Sequence, residues 1–332
     1  MSLPTFVDIV RAKKLTPEQR EADFRKLQLW SGTENGVKLI GNPYIQSYMT
    51  EHMGKTHYEG KPSLQEVMDD EKLRQDLYNR TITKERLEFN MPQAFSRRNP
   101  VCFLKPSVAK YLYTLFGATK VLDFTAGWGG RMMGAFACGI DYIGIDTNTE
   151  LQPAYVEMIA EMSSWSNGTA QMLWQDCLSV DFSTLDYDFV FTSPPYYNKE
   201  VYEHMTPFTS KKQFYIDFLI PMLEKSLRHI KKNGWVCINV NPEYYEELTQ
   251  IGFRKADRIE TFVQSTSKLK DGSSKLEYVY CWKNASSSED PTPLRPAPLS
   301  LASCATPSCT RCRELEQEVA RLKAAMKLLL NV

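Results

Sequence analysis

The chain has 332 residues, of which 42% are hydrophobic and 24% are charged. This composition argues against a fibrous, a wholly disordered or a membrane-spanning chain, and the length favours one large domain with appendages or two domains. Forty Lys and Arg balance forty Asp and Glu, so binding to an anionic partner requires local clusters of charge. Residues 1–14 lack the apolar stretch of a secretory signal, and the eight cysteines show no framework spacing. We therefore expect a reducing, intracellular setting.

Residues 1–93 are polar and predict a helical N-terminal region. Thr16 with Gln19, and Ser63 with Glu66, each fit a capping box, in which the first helical turn satisfies its own free backbone groups. The region carries no catalytic motif. By exclusion, it is the preferred element for recognition of a target.

In residues 94–284, short apolar runs alternate with longer amphipathic ones. The pattern predicts strands at 121–124, 142–146, 170–174, 188–192 and 235–240, and helices at 107–116, 131–138, 150–162 and 212–230. Strands that alternate with helices predict an α/β fold with a mostly parallel, doubly wound sheet. Two further runs, 259–264 and 276–282, flank a polar turn and predict a closing antiparallel hairpin.

The C-terminal part of the chain predicts a linker and a short helix. Residues 285–310 are rich in Ser, Pro, Thr and Ala, which is typical of a disordered linker. In residues 311–332, the apolar positions fall three and four apart, as in a coiled-coil seam: Cys312, Leu315, Val319, Leu322, Met326 and Leu329. Formation of a homo-oligomer through these heptads is one interpretation, and a helix that docks on the domain or frays is the other. We predict no metal site.

A glycine-rich turn follows the first predicted strand. Asp123 ends that strand, and Thr125, Gly127 and Gly129 lie in the turn before the next helix. Glycines let a backbone approach a ligand closely, and the start of a helix offers free N–H groups. Asp146 ends the second strand, nineteen residues after Gly127, where its carboxylate can accept hydrogen bonds from ribose hydroxyls. The combination predicts a cofactor that contains a nucleoside.

An acid placed before the glycines resembles the S-adenosyl-L-methionine site of Rossmann-like class I methyltransferases. In that family the acid, here Asp123, meets the methionine end of the cofactor. The resemblance covers residues 94–283 and implies S-adenosyl-L-methionine as the cofactor. It also places Asp176 and its neighbour Cys177 where the family's acid contacts the adenine amino group, although a turn residue is the alternative interpretation of Asp176. Lys105 belongs to the segment that closes over the methionine moiety.

The sequence Ser193, Pro194, Pro195 and Tyr196 follows the fourth predicted strand. Two prolines fix the backbone at the carboxyl edge of the sheet, where ligands sit in open α/β folds. The four residues resemble the S/D/N-P-P-Y motif of amino-group methyltransferases. This implies that Ser193 and the Pro194 carbonyl accept the hydrogens of an exocyclic amino group, and that Tyr196 stacks on an extruded base. Residues 192–202 are also similar to DNA methyltransferases of phages and large DNA viruses.

The resemblance implies a methyltransferase that acts on DNA, at N4 of cytosine, which is slightly favoured, or at N6 of adenine. Three alternatives stay open: an RNA amino group, a protein glutamine side chain, and a non-catalytic nucleic-acid-binding subunit of the same fold. Residues 80–131 contain nine Lys and Arg against three acids, which predicts a strip that binds phosphates, with a solvated surface as the alternative. The predicted nucleic-acid contacts are Arg97, Arg98, Arg131, Tyr197, Lys268 and Lys270.

Overall fold

The computed structural model of the chain describes residues 3–32, 39–99, 101–197, 200–201, 208–268 and 274–285. The N-terminal region contains six helices among its described residues, with one short strand between the third and the fourth. They are α1 (Phe6–Lys13), α2 (Pro17–Leu29), α3 (Asn42–Lys55), β1 (His57–Tyr58), α4 (Leu64–Asp69), α5 (Glu71–Arg80) and α6 (Leu87–Ser96). Both predicted capping boxes are present, at the starts of α2 and α4.

The rest of the described chain alternates strands with helices. The elements are α7 (Pro106–Phe116), β2 (Lys120–Asp123), α8 (Gly130–Cys138), β3 (Asp141–Asp146), α9 (Gln152–Trp165), β4 (Ala170–Trp174), β5 (Phe189–Thr192), β6 (Glu200–Val201), α10 (Lys211–Phe214), α11 (Ile220–His229), β7 (Trp235–Asn239), α12 (Pro242–Gln250), β8 (Arg258–Lys268) and β9 (Ser274–Lys283). A π-helical turn joins α10 to α11.

Seven strands form one sheet in the order β4-β3-β2-β5-β7-β9-β8. The first five are mutually parallel, whereas β9 runs antiparallel to β7 and pairs with β8 as a hairpin. The predicted α/β fold class, with a mostly parallel sheet of Rossmann-like topology and an antiparallel hairpin at its edge, is therefore confirmed. The strand order reverses between β2 and β5, and ligands in such sheets bind outside the carboxyl ends of the strands at this point.

Side chains of the central strands alternate between two cores, one on each face of the sheet. Phe189 and Phe191 of β5 pack with the residues of α7, α8 and α9, and Val190 between them packs on the opposite face with α11. This period of two follows from the pleat of a strand. The carboxylate of Asp188 accepts hydrogen bonds from the backbone N–H groups of Thr119 (3.0 Å) and Lys120 (3.1 Å), and so aligns the start of β2 with the start of β5.

Part of the helical N-terminal region belongs to the same core as the sheet. Phe24 of α2 and Tyr44 of α3 are fully buried in the cluster that contains α8 and α9. The Arg20 guanidinium also donates to the carboxylate of Glu161 in α9, with Nη2 and Oε1 2.5 Å apart. Residues 1–286 form one compact unit. Helices α2 and α3 of the N-terminal region therefore share a hydrophobic core with the sheet.

A smaller cluster joins α1 to α4, α5 and α6, with Ile9, Met68 and Met91 at its centre. The two-residue strand β1 pairs antiparallel with β6, with His57 opposite Val201 and Tyr58 opposite Glu200. This pairing connects the N-terminal region to the segment that follows the Pro-Pro-Tyr sequence.

The predicted heptad helix at 311–332 and almost all of the predicted linker lie outside the described residues. Within the part of the chain that is described, no helix combines the length and the apolar character needed to cross a membrane.

Candidate active site

A cavity of about 660 Å³ lies at the carboxyl edge of the parallel strands. Its volume is in the range of pockets that enclose cofactors and small ligands. The loops that follow β2, β3, β4 and β5 all contribute to it. Its lining includes most of the residues predicted for catalysis and cofactor binding, namely Lys105, Thr125, Gly127, Asp146, Asp176, Cys177, Ser193, Pro194, Pro195 and Tyr196.

The glycine turn forms part of the cavity wall. Gly127 and Gly129 adopt left-handed conformations, with φ of +59° and +82°, which other residues adopt only at a cost. Gly129 is the N-cap of α8 and lies behind the turn, outside the cavity lining. A Cβ atom on Gly130 would lie 2.1 Å from the carbonyl oxygen of Leu104. This position requires glycine because the segment before α7 packs directly on the turn.

Two of the predicted site residues, Asp123 and Arg131, form a buried ion pair. Asp123 does not reach the cavity and is fully buried, and its Oδ2 accepts hydrogen bonds from Arg131 Nε (2.5 Å) and from the Tyr142 hydroxyl (2.7 Å). Its Oδ1 accepts from the hydroxyl of Thr192 (2.9 Å) and from the backbone of Thr125 (3.3 Å). With these four donors in place, the carboxylate holds the turn beneath the cavity, and its predicted contact with the methionine end of a cofactor stays a prediction.

Arg131 was expected to contact phosphates, but its side chain is only 7% exposed and is paired with Asp123. It also donates to the carbonyl oxygen of Thr125. Burial opposes the charge of the guanidinium, but the neighbouring carboxylate outweighs it and raises the pKa of Arg131. The buried ion pair therefore joins the end of β2 to α8. Arg131 also lines the cavity, and its predicted contact with nucleic acid stays a prediction.

Asp146, at the end of β3, faces the cavity and supports the glycine turn. Its Oδ2 accepts a hydrogen bond from the backbone N–H of Gly127 (2.7 Å), and its Oδ1 accepts from that of Asn148 (2.9 Å). Burial raises the pKa of this carboxyl, although the two N–H donors favour the charged form. Each oxygen keeps a second lone pair, so the carboxylate can still accept hydrogen bonds from a ligand in the cavity.

Asp176 and Cys177 follow β4 and form another part of the wall. Asp176 is exposed, and its Oδ1 accepts a hydrogen bond from the backbone of Leu178 (2.9 Å), as a turn residue does. Cys177 is buried, and burial raises the pKa of its thiol to about 12. The turn interpretation and a ligand contact are compatible at Asp176, because one carboxylate oxygen has no partner among the described residues.

The Pro-Pro-Tyr segment begins where β5 ends. The Ser193 carbonyl oxygen accepts a hydrogen bond from the Thr125 hydroxyl (3.2 Å), which links this segment to the glycine turn. The Ser193 hydroxyl lies 3.4 Å from both the carbonyl oxygen and the Oδ1 of Asn239. The ring of Tyr196 packs edge-on against Tyr244, with centroids 4.9 Å apart. The serine and the tyrosine therefore have defined positions at one end of the cavity.

Sequence reasoning missed two polar residues at this end. Asn239 ends β7 and Glu277 lies in β9, and both line the cavity. Asn239 could have been found as a polar residue at the carboxyl end of a predicted parallel strand, but nothing in the sequence places Glu277 there. Lys105 also lines the cavity, and burial lowers the pKa of its ammonium group, an effect that Glu277 opposes.

Arg97 and Arg98 are neighbours in the chain of a residue that lines the cavity. They follow α6 directly, both are exposed, and the preceding residue, Ser96, lines the cavity. Among the described residues, neither side chain forms an ion pair, and their predicted contact with phosphates stays a prediction.

The other predicted nucleic-acid contacts, Tyr197, Lys268 and Lys270, lie in different parts of the chain. Tyr197 is half-buried and packs against the core on the α11 face of the sheet. Lys268 ends β8, opposite Ser274 of β9, and Lys270 lies outside the described residues.

The predicted strip of basic residues does not form one surface. Besides the buried arginine, Lys110 is buried and donates to the carbonyl oxygens of Leu27 (3.0 Å) and Gln28 (2.8 Å) at the end of α2. Lys120 pairs with Asp186, with Nζ and Oδ2 2.7 Å apart. The order of charges along the chain does not reveal which side chains face inward. Lys110 is buried and therefore does not contribute to an exposed strip.

No protein-family model matches the sequence, and neither does any curated protein. Solved structures with a similar fold include TrmN from Thermus thermophilus, with 18% identity and a TM-score of 0.39. That alignment covers 56% of this chain and 52% of TrmN, so the chain spans about half of the TrmN length.

Two smaller proteins are covered more fully. An RNA methyltransferase from Salinibacter ruber, in complex with S-adenosyl-L-homocysteine, has 14% identity and a TM-score of 0.36 over 59% of this chain and 99% of its own. An rRNA methylase from Streptococcus thermophilus has 10% identity and a TM-score of 0.34 over 50% and 86%. At identities this low, function must be argued from the site itself.

Proposed function

We propose that the protein is an S-adenosyl-L-methionine-dependent methyltransferase that modifies an exocyclic amino group of a nucleic-acid base. One observation carries the proposal: the glycine turn, Asp146, Asp176 and the Ser193–Tyr196 segment line the same cavity. A cofactor wall and a motif suited to an amino substrate thus lie within reach of each other.

The cavity suits a nucleoside cofactor with a charged tail. A Cβ atom on Gly127 would meet nothing closer than 3.7 Å, so the backbone there is open to a ligand. Asp146 and Asp176 follow adjacent strands and offer carboxylate acceptors for ribose hydroxyls and for an amino group. Lys105, which also lines the cavity, can supply a cation for the carboxylate of the cofactor. When bound, the cofactor supplies an electrophilic methyl group.

The residues at the Ser193 end of the cavity suit an amino group as the acceptor of that methyl. The lone pair of an exocyclic amine is delocalised into the base, so the nitrogen must be held and made tetrahedral before it can attack. Hydrogen-bond acceptors on both amino hydrogens, here the Ser193 hydroxyl oxygen and the Pro194 carbonyl, favour that geometry. No strong general base is needed, because the proton leaves after the nitrogen has become cationic.

Reaching this pocket requires that the base leave the helical stack. Tyr196 offers a ring on which an extruded base can stack, and Arg97 and Arg98, which are exposed and follow Ser96 of the cavity lining, can contact phosphates. The pairing of β1 with β6 brings the N-terminal region next to the Pro-Pro-Tyr segment, which supports a role for this region in target recognition. We favour DNA as the substrate, and N4 of cytosine slightly over N6 of adenine.

Two variants test the division of the cavity into a cofactor end and a substrate end. Asp146→Asn removes one acceptor oxygen and should weaken S-adenosylmethionine binding about tenfold, measured by calorimetry. Tyr196→Ala should keep cofactor affinity and lose turnover, whereas Tyr196→Phe, the matched control, keeps the ring and should retain most of it. Equal loss of cofactor binding in both Asp146→Asn and Tyr196→Ala would contradict the proposal.

A further inference from the structure

We propose that Asn239 and Glu277 fix the Ser193 hydroxyl as a hydrogen-bond acceptor, and that they thereby select a substrate that presents an N–H group over one that presents a carbonyl oxygen. The inference rests on the proposed function and adds two positioning residues and a basis for specificity. A serine hydroxyl by itself can donate or accept, so the surroundings decide which role it takes.

The orientation of the Asn239 amide is fixed from behind. Its side chain is nearly buried, and its Nδ2 donates to the carbonyl oxygen of Tyr278 (2.9 Å) and to Oε2 of Glu277 (3.2 Å). Both partners are acceptors, so the NH₂ group must face them. The amide oxygen therefore faces the other way, towards Ser193.

The Ser193 hydroxyl, which has one hydrogen to donate, then faces two acceptor oxygens of Asn239. Its Oγ lies 3.4 Å from Oδ1 and 3.4 Å from the carbonyl oxygen of Asn239. Because neither oxygen can donate, a hydroxyl that bonds to Asn239 directs its hydrogen there, and the lone pairs of Oγ then remain for the cavity that Ser193 lines. A substrate N–H finds an acceptor there, whereas a base carbonyl meets only lone pairs.

A double-mutant cycle tests the inference. Methyl transfer from labelled S-adenosylmethionine to unmethylated genomic DNA is measured for the wild type, Ser193→Ala, Asn239→Ala and the double variant. We expect each single change to lower kcat about 10- to 100-fold, the loss for a hydrogen bond to a group that develops charge, with little change in cofactor Kd. Because Asn239 acts through Ser193, the double variant should be no slower than Ser193→Ala.

Conservative and control variants separate this role from a structural one. Glu277→Gln keeps an acceptor oxygen for Asn239 and should retain most of kcat, whereas Glu277→Leu should lose as much as Asn239→Ala. Asn284→Ala is the matched control: its Nδ2 donates to the carbonyl oxygen of Ile230 (2.9 Å) at the other end of β7 and β9, away from the cavity. It should leave kcat unchanged.

Additive losses of kcat in the double variant, or full activity of Asn239→Ala, would overturn the inference while leaving the proposed function intact. A wild-type protein that transfers no methyl group would overturn the proposed function instead. In that event, the free energies of unfolding of the same four proteins, measured in urea, still test whether Ser193 and Asn239 form a hydrogen bond. The destabilisation of the double variant should be smaller than the sum of the single changes, and additive losses would refute the contact between Ser193 and Asn239.

Discussion

The buried ion pair between Arg131 and Asp123 gives a sharp prediction about stability. Its side chains are 7% and 0% exposed, with Nε and Oδ2 2.5 Å apart. Arg131→Met keeps much of the side-chain volume but leaves the carboxylate buried without a cation. Removing one partner of a buried pair typically costs about 3–5 kcal/mol. We expect the free energy of unfolding to fall by about that amount.

Urea unfolding, followed by circular dichroism, measures this change in the free energy of unfolding. Two further variants serve as controls. Arg80→Met removes an exposed helix-surface pair with Asp76, whose side chains are 35% and 59% exposed, and should cost under about 1 kcal/mol. Arg131→Met combined with Asp123→Asn removes both charges and should be more stable than Arg131→Met alone. A loss for Arg131→Met no larger than that for Arg80→Met would refute the assignment of Asp123 as a buried structural anchor.

Three more predictions concern the turn, the thiols and the two exposed arginines. Gly130→Ala should destabilise the protein and abolish cofactor binding in calorimetry, because its methyl group would collide with the backbone before α7. With iodoacetamide at pH 8, exposed Cys102 should be alkylated while Cys177 stays unmodified in peptide mass spectra, since about one thiol in ten thousand is ionised four pH units below its pKa of about 12. The double variant Arg97→Ala/Arg98→Ala should weaken DNA binding. It should also make the fall of log K with log salt less steep, with a slope smaller in magnitude by about two.

Each of these predictions has a control. Gly117→Ala meets no atom within 4 Å and should cost only the strain of its left-handed conformation, about 1–2 kcal/mol, with cofactor binding retained. Alkylation of Cys177 as fast as that of Cys102 would contradict its burial. Arg254→Ala, at the opposite end of β9 beside Lys283, should leave the salt slope unchanged, and an equal change there would count against the role of Arg97 and Arg98.

The parts of the fold that follow from local patterns were predictable. Apolar runs of strand length between amphipathic segments specify the parallel sheet, and residues 259–264 and 276–282 specify the hairpin. The strand β1 was missed because two residues carry no periodicity, and its partner β6 lies far away in the sequence. Such pairings depend on tertiary contacts rather than on propensity.

In the candidate site, too, local patterns locate some residues, whereas the positions of others depend on tertiary packing. Residues at or just after the ends of strands, such as Asp146 and Ser193, line the cavity, because the carboxyl ends of parallel strands meet there. The direction of a side chain was harder to predict: Asp123 turns inward because Arg131, eight residues later in the chain, offers it a buried cation. Glu277 reaches the site from a hairpin strand that no motif connects with catalysis.

One measurement tests the central proposal most directly. The protein is incubated with labelled S-adenosylmethionine and unmodified DNA or RNA, the nucleic acid is digested to nucleosides, and the labelled nucleoside is identified by mass spectrometry. We predict label on N4-methyldeoxycytidine or, second, on N6-methyldeoxyadenosine, and none with Tyr196→Ala. Label on a ribonucleoside would contradict the choice of DNA, and no label on any nucleoside, with cofactor binding intact, would contradict the proposed substrate class.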